Sequence, residues 1–448
     1  MNSKEFIKKI DEKSVKICIV GMGQVGLPTA LMFADAKFDV KGYDINGKLI
    51  ESLKLKIPPF VEKGLPELLV QTIENKKFLP ISELSDAIDS DIFIICVQTP
   101  LSELGQPNLS YLENACSNLS QLDLNGKMII IESSIPSGTF EKLVLPSLNI
   151  QNQIGNNVWA AFVPERLSPG QGLSEFQTTP RLVGSLDDDS ALISKILYEQ
   201  IIQSKIISSS VKVVEISKLV ENTFRDVNIA LSNEVAKICE KYDIDVQELF
   251  TICNSHPRVN LLQPGPGVGG PCLPKDPYLL LNPEGLSPIS STLIEHSRKI
   301  NDSMPKHVIE LLTKSLILQN KKINDSKILI LGIAYKGNVS DYRLSPATEV
   351  VFQLQALNSD VLIFDPKVED SLNGLKIDDL WNSLQTVDAI IVLTDHDEFK
   401  KLDLQKIYNL MNKNPILLDT RRIFDKYQAE EIGFHYLAVG YTTSLKHK

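Results

Sequence analysis

The sequence predicts an α/β protein in which two doubly wound, Rossmann-like domains are joined by a helical middle region with a long central helix. Apolar, β-branched runs alternate with helical periods near both ends of the chain, and these runs close on polar residues. Residues 213–241 keep one helical period, and no clear strand pattern follows them until residue 327. We expect domains at 14–210, 211–305 and 325–448.

The first domain opens with a strand, a glycine turn and a helix. Residues 15–20 predict a buried parallel strand, and a helix follows from about residue 27 to 36. Further strands are predicted at 38–43, 91–97, 128–131 and 158–163.

The glycine turn has the spacing of a dinucleotide site. Gly21, Gly23 and Gly26 enclose Gln24 and Val25, and Asp44 ends the second strand about 20 residues later. Glycines admit a pyrophosphate to the helix N-terminus, while Asp44 would bind a ribose 2′-hydroxyl and repel a 2′-phosphate. We therefore predict NAD rather than NADP, with Thr99 and Pro100 lining the same crevice.

A loop rich in glycine and proline, residues 265–276, holds Cys272 and Asp276. Glycines such as Gly269 and Gly270 let a ligand approach the backbone, and a constrained thiol can attack a carbonyl carbon. A cysteine is also often a small buried hydrophobe, so packing is the alternative.

Polar residues of the long helix form a second candidate group. Lys218, Asn222 and Arg225 share one face, nearly opposite an apolar stripe. An ammonium and an amide together can stabilise an oxyanion, although a solvated polar face is the alternative. The stripe comprises Val220, Phe224, Val227, Leu231, Val235 and Ile238.

Two polar residues follow strands of the first domain. Glu165 and Ser134 lie where α/β sheets place ligand chemistry. The alternatives are an ion pair of Glu165 with Arg166 or Arg181, and a capping role for Ser134.

The last domain has the same predicted alternation of strands and helices as the first domain, but it lacks the complete glycine spacing of the dinucleotide site. Tyr335, Lys336 and Arg421 follow its predicted strands, and Arg258 precedes the cysteine loop. Cationic side chains beside a nucleotide fold indicate a phosphate-bearing substrate.

Composition excludes several classes of protein. A net charge of −10 over 448 residues disfavours nucleic-acid binding, and we expect no signal peptide or membrane span. Six scattered cysteines and six unclustered histidines predict no metal site, and the cysteine pattern fits the cytoplasm.

Motifs along almost the whole chain resemble those of the UDP-glucose/GDP-mannose dehydrogenase family. The similar segments are GMGQVGLP at 21–28, YDIN at 43–46, ESSIPSGT at 132–139, PERLSPG at 164–170, SKLVENTFRDVNIALSNE at 217–234, HPRVNLLQPGPGVGGPCLPKD at 256–276, GIAYKGNVSDYRLSPA at 332–347 and DTRR at 419–422.

The resemblance implies a four-electron oxidation of a sugar C6 alcohol to a carboxylate with two NAD⁺, in polysaccharide biosynthesis. Cys272 would form a thiohemiacetal and then a thioester, with Lys218 and Asn222 stabilising the oxyanions. Asp276, Glu165 and Ser134 would activate or hold water. Substrate contacts would come from Arg166, Arg225, Arg258, Gly269, Gly270, Tyr335, Lys336 and Arg421. Arg258 would reach a partner subunit's sugar site, which implies a homodimer built on the long helix.

The resemblance implies a UDP-sugar substrate, and the motifs favour UDP-N-acetyl-D-mannosamine or its glucosamine epimer. PERLSPG resembles the acetylhexosamine branch, yet Pro271 and Lys275 depart from that pattern, so UDP-glucose is the alternative. A two-electron hydroxy-acid dehydrogenase and a non-catalytic nucleotide-sugar-binding protein are the other classes that we consider.

Overall fold

The computed structural model describes residues 2–60, 62–166, 170 and 172–442, and the chain divides into two compact units. The first unit comprises residues up to 221 together with 275–290, and the second comprises 222–274 together with the residues from 291 onward. The chain passes from one unit to the other within the long central helix, between Pro274 and Lys275, and between Ser290 and Ser291. The three domain bounds stay a prediction.

A mostly parallel sheet organises the first unit. Its strands are β1 Lys16–Val20, β2 Asp39–Tyr43, β3 Phe78–Ile81, β4 Ile92–Ile95, β5 Met128–Ile131, β6 Trp159–Phe162, β7 Arg181–Ser185 and β8 Ile206–Ser210. In the described residues their order is β3-β2-β1-β4-β5-β6-β7-β8, and β6 and β7 pair antiparallel. This order contains the 3-2-1-4-5-6 arrangement of a dinucleotide fold, which confirms the predicted class.

Helices cover both faces of this sheet. They are α1 Ser3–Asp11, α2 Gly26–Asp35, α3 Gly47–Lys54, α4 Leu65–Glu74, α5 Ser110–Leu119, α6 Leu145–Leu148, α7 Gly172–Thr178 and α8 Asp188–Glu199. Because successive strand residues point to opposite faces, Ile17 and Ile19 of β1 join one apolar core while Cys18 and Val20 join the other.

The predicted middle region is helical, as expected. It contains α9 Val211–Tyr242, α10 Val246–Asn254, α11 Asp276–Leu281 and α12 Thr292–Leu318. With 32 residues, α9 is about 48 Å long at 1.5 Å per residue. Residue 305, where we placed a boundary, lies inside α12.

The two faces of α9 have unexpected surroundings. Phe224 and Leu231 of the apolar stripe are 62% and 50% exposed, whereas Lys218 and Asn222 are each only 7% exposed. The helix therefore buries polar side chains and exposes apolar ones, so the solvated polar face that we considered for Lys218 and Asn222 is wrong.

A second parallel sheet organises the other unit. Its strands are β9 Lys327–Leu331, β10 Asp360–Phe364, β11 Ala389–Val392, β12 Ile416–Asp419 and β13 His435–Leu437, in the order β10-β9-β11-β12-β13 within the described residues. Its helices are α13 Pro346–Ala356, α14 Leu380–Ser383, α15 Leu404–Leu410 and α16 Lys426–Ile432. This arrangement confirms the second nucleotide-type fold.

A buried carboxylate near the start of α9 holds the loop that follows β5. Glu215 accepts hydrogen bonds from the backbone N–H groups of Gly138 at 2.7 Å and Phe140 at 3.0 Å. Burial raises the pKa of Glu215 to about 7, although both N–H donors favour the carboxylate.

This raised pKa predicts a pH dependence of stability. Since the folded chain holds the Glu215 proton more tightly than the unfolded chain, the stabilisation is complete below about pH 4.5 and is lost as pH rises through about 7. In Glu215→Gln, which cannot ionise, the difference in unfolding free energy from the wild type should change over this window by on the order of 1–3 kcal/mol. Urea unfolding at closely spaced pH values measures it, and a pH-independent difference would contradict the assignment.

Candidate functional site

The glycine turn between β1 and α2 is closely packed on one side and open on the other. The N–H of Gly21 donates to the Tyr43 carbonyl at 2.7 Å. A Cβ on Gly26 would lie 1.8 Å from the Gly21 carbonyl oxygen, so no larger residue fits there. A Cβ on Gly23 would meet no atom within 4 Å, and Gln24 and Val25 lead from there into α2.

The predicted ribose ligand lies beside this turn. Asp44 accepts hydrogen bonds from the backbone N–H groups of Met22 and Asn46, each at 2.8 Å, and both carboxylate oxygens are therefore fixed in place. The open backbone at Gly23, the start of α2 and the oriented carboxylate together fit the pyrophosphate and ribose of NAD.

Hydrogen bonds and an ion pair link three other predicted site residues of the first unit. Thr99 donates through Oγ1 to the Ser134 carbonyl at 2.6 Å and accepts from Lys275 Nζ at 3.0 Å. The Lys275 ammonium lies 3.8 Å from the Asp276 carboxylate, which is fully buried. Pro100, adjacent to Thr99, is partly exposed. Sequence reasoning missed this contact of Lys275, although the position of Lys275 between Cys272 and Asp276 was a signal.

Glu165 takes part in a buried ion pair with Arg181, which is the alternative to a catalytic role that the sequence left open. Arg181 Nη1 donates to Glu165 Oε1 at 3.0 Å, and the guanidinium stacks 4.7 Å from the Phe176 ring. Behind this pair, Glu132 accepts from Tyr198 OH at 2.6 Å, and burial raises its pKa while Arg181 opposes the rise. Sequence reasoning missed the role of Glu132 because it attended to Ser134 in the same motif.

Arg166 has a different partner. Its guanidinium binds both carboxylate oxygens of Glu221, with Nε at 2.9 Å and Nη2 at 2.7 Å. Leu167, Ser168 and Pro169, the next residues of the motif that indicated an acetylhexosamine, lie outside the described residues. Arg225 and Arg258 are exposed and belong to the second unit, so the described contacts do not place them with the first-unit residues.

The cysteine loop packs on the nucleotide-type fold of the second unit. Its Gly270 N–H donates to the Leu344 carbonyl at 3.3 Å. A Cβ on Gly270 would lie 2.6 Å from the Tyr335 ring, and the φ of +89° also favours glycine. Cys272 is partly buried, and Arg421 lies beside the start of the loop at Gly265.

A buried histidine holds the Tyr335–Lys336 loop. Asn338 donates its backbone N–H to His396 Nδ1 at 3.0 Å, so the ring proton lies on Nε2, which faces Asp365 at 3.2 Å. Asp365 also accepts from the Ile333 N–H at 2.8 Å. Burial alone would raise the pKa of Asp365, but the His396 contact and the backbone donors lower it to about 2. Sequence reasoning missed this pair because 31 residues separate its members.

The described ranges lack two structural features. No group of three or more histidine, cysteine, aspartate or glutamate side chains in these ranges could hold a metal ion. Among the same residues, no helix is both long and apolar enough to cross a membrane.

Comparison with known proteins identifies this arrangement. The NAD binding domain, central domain and UDP binding domain of the UDP-glucose/GDP-mannose dehydrogenase family match residues 15–202, 212–303 and 329–426. The protein is therefore an oxidoreductase of the NAD-dependent nucleotide-sugar dehydrogenase class. It belongs to the UDP-glucose/GDP-mannose dehydrogenase family.

Three similar proteins are all named for the same substrate, UDP-N-acetyl-D-mannosamine. The chain is 38% identical over 439 residues to UDP-N-acetyl-D-mannosamine dehydrogenase of Methanocaldococcus jannaschii, covering 96% of this chain and 98% of the relative. The structure of UDP-D-ManNAc dehydrogenase from Pyrococcus horikoshii is 36% identical, with a TM-score of 0.88 and coverage of 96% and 100%. That of UDP-N-acetyl-mannosamine dehydrogenase from Staphylococcus aureus is 32% identical, with a TM-score of 0.84 and coverage of 96% and 99%.

The packing of the turn predicts that two of its glycines respond differently to substitution. Gly26→Ala should lower the unfolding free energy by about 1–3 kcal/mol, because its Cβ overlaps the Gly21 carbonyl. Gly23→Ala should unfold like the wild type but bind NADH roughly tenfold more weakly, because its methyl group enters the pyrophosphate position.

Urea unfolding and NADH fluorescence titration measure these effects. Gly47→Ala, at the start of α3 where a Cβ meets nothing within 4 Å, is the matched control and should change neither quantity appreciably. Equal stability of Gly26→Ala and Gly47→Ala, or undiminished NADH affinity of Gly23→Ala, would show that the turn is not packed as described.

Proposed function

We propose that the protein oxidises the C6 alcohol of a UDP-N-acetylhexosamine, with UDP-N-acetyl-D-mannosamine favoured, to the uronate. The observation that carries the proposal is the combination, in one chain, of an NAD fold and a glycine-bounded Cys272 loop. The relatives support the choice of sugar, since they match nearly the full length and are named for N-acetyl-D-mannosamine. Pro271 and Lys275 make UDP-glucose the alternative substrate.

The proposed chemistry proceeds through Cys272. The alcohol first loses a hydride and a proton to give the aldehyde. The Cys272 thiol then adds to the aldehyde carbon, and loss of a second hydride and a proton converts the thiohemiacetal to a thioester. Water cleaves the thioester, releasing the carboxylate and restoring the thiol. Bound NAD⁺ supplies the hydride acceptor for each oxidation.

Other side chains have proposed roles that fit their surroundings. Lys218 and Asn222 are buried one helical turn apart on α9, where a cation and an amide stabilise an oxyanion more strongly than in water. Asp276 accepts the proton of the attacking water, and Ser134 and Glu165 hold that water. The Arg181 guanidinium supports this role of Glu165, since it fixes one carboxylate oxygen.

Residues of the second unit have proposed roles in binding the UDP-sugar. Lys336 binds the substrate from the loop held by His396, and Tyr335, Gly269 and Gly270 form the wall where that loop meets the cysteine loop. Arg421 neutralises phosphate charge, and Arg166 and Arg225 also contact the substrate.

We also propose a homodimer built on α9. Ile216, Val220, Phe224, Leu231 and Ile238 are each at least 42% exposed and follow one face of the helix. An exposed apolar stripe of this length is typical of a protein–protein interface. Arg258 lies in an exposed segment tied to α9 by the Asn228 side chain, which suits its proposed reach into a partner's sugar site.

A panel of UDP-sugars tests the substrate. We expect NADH formation with UDP-N-acetyl-D-mannosamine at a kcat/KM at least about tenfold above that with UDP-glucose, a difference of about 1.4 kcal/mol in transition-state binding. Turnover of UDP-glucose without turnover of any acetylated sugar would establish the alternative. Turnover of none of the panel, with the UDP-sugars still bound, would indicate a binding protein.

Replacement of the nucleophile tests the covalent route. Cys272→Ser should slow carboxylate formation on the order of 10³-fold, because the serine hydroxyl is a much weaker nucleophile, and an enzyme-linked sugar should be detected by intact mass. Cys253→Ser, at another partly buried cysteine, is the control and should turn over normally. An unaffected rate in Cys272→Ser would rule out the nucleophile.

Negative charge introduced into the exposed apolar stripe of α9 tests whether the protein dimerises through this helix. Light scattering should find a dimer for the wild type and a monomer for Phe224→Glu/Leu231→Glu, because two carboxylates per chain would be buried against apolar groups. Phe352→Glu, at an equally exposed phenylalanine of α13, should remain dimeric. A wild type that is monomeric at micromolar concentration would exclude this interface.

A further inference from the structure

A chain of buried amides connects α9 and α12 to the start of the cysteine loop. Asn233, on α9, accepts the Gly265 N–H through Oδ1 at 2.9 Å and donates from Nδ2 to Asn301 Oδ1 at 3.0 Å. Asn301, on α12, donates to the carbonyl and carboxylate of Asp226 at 3.0 and 2.9 Å. Asn233 and Asp226 are fully buried and Asn301 is 1% exposed.

The groups at the two ends of this network determine which amide atoms donate and which accept. The Gly265 N–H can only donate, and the oxygens of Asp226 can only accept once its carboxylate pairs with Arg298, whose Nη1 lies 2.5 Å away. Rotation of either amide would place two donors or two acceptors together in a buried space, which costs about 1–3 kcal/mol. The network therefore holds Gly265 in one position relative to α9.

Neighbouring contacts restrict the rest of the segment. Asn228, also on α9, donates to the Asn260 carbonyl at 2.7 Å and accepts from the Leu262 N–H at 3.1 Å. Beyond Gly265, the Gly270 N–H is held by Leu344. The bond to Asn233 thus ties the start of the cysteine loop to α9.

We propose that Asn233 is a positioning residue for Cys272, acting through the Gly265 backbone rather than by contact with the substrate. Before attack, a thiol must lie about 3–3.5 Å from its carbonyl carbon and be correctly aligned with it, and a misplacement of about 1 Å costs roughly 10²-fold in rate. Asn233 supplies this alignment by fixing the loop to the helix that also carries Asn222. The kinetic part of this inference rests on the proposed function.

Two substitutions separate positioning from general stability. Asn233→Ala removes the acceptor for Gly265, so kcat should fall about 10- to 100-fold with KM for the UDP-sugar changed less than about threefold. Asn233→Asp keeps that acceptor but loses the donor to Asn301, so it should retain kcat within about threefold although its Tm falls. A kcat that follows Tm across the two variants would overturn the proposal.

The reactivity of Cys272 supplies a readout that needs no substrate. Iodoacetamide labelling, quantified by peptide mass spectrometry, should be at least about threefold faster at Cys272 in Asn233→Ala, because the released loop exposes the partly buried thiol. Cys253 in the same protein should label at its wild-type rate. Asn412→Ala, which removes asparagine hydrogen bonds to Thr386 and Asp388 in the same unit, is the matched control and should change neither rate.

These measurements distinguish failure of the positioning role of Asn233 from failure of the proposed function. Wild-type labelling of Cys272 in Asn233→Ala would overturn the positioning role even if activity were lost. If the wild type oxidised no UDP-sugar, the proposed function would fail, while the labelling rates would still decide whether Asn233 holds the loop. Should Asn233→Ala fail to fold, as judged by circular dichroism, Asn233→Ser lacks the same reach to Gly265 and is predicted to label equally fast.

Discussion

Helix α9 buries a polar face along most of its length, and the segments that carry the candidate site depend on it. Glu215, Lys218, Asn222, Asp226 and Asn233 are each at most 7% exposed. Glu215 binds the backbone of the loop after β5, and Asn233 binds the backbone that leads to Cys272. A buried polar side chain must be paired, so this face requires the loops to take up definite positions.

The same principle applies at both nucleotide-type folds. Asp44 fixes the glycine turn by accepting two backbone N–H groups, and Asp365 with His396 fixes the Tyr335–Lys336 loop. Backbone groups in such loops have no regular secondary structure to satisfy them, and a carboxylate or imidazole side chain takes that place. The loops that meet ligands are thereby held by rigid strands and helices.

Local patterns in the sequence predicted much of this fold and part of the site. The Met128–Ile131 strand was placed at its observed bounds, and the glycine spacing with Asp44 predicted a turn whose packing the structure confirms. Helical periodicity found α9 but could not tell which face is buried, because an exposed apolar stripe has the same period as one that faces the core. The ion pair of Glu165 with Arg181 was one of two alternatives that the sequence left open. The pairs of His396 with Asp365 and of Asn233 with Gly265 were beyond such reasoning, since residues distant along the chain meet only through the fold.

The number of NADH molecules formed per sugar decides whether the protein carries out both proposed oxidations. With limiting UDP-N-acetyl-D-mannosamine and excess NAD⁺, we expect two NADH per sugar consumed and a uronate as the only sugar product. One NADH per sugar, with a free aldehyde or ketone as the product, would contradict it and would leave Cys272 without a chemical role.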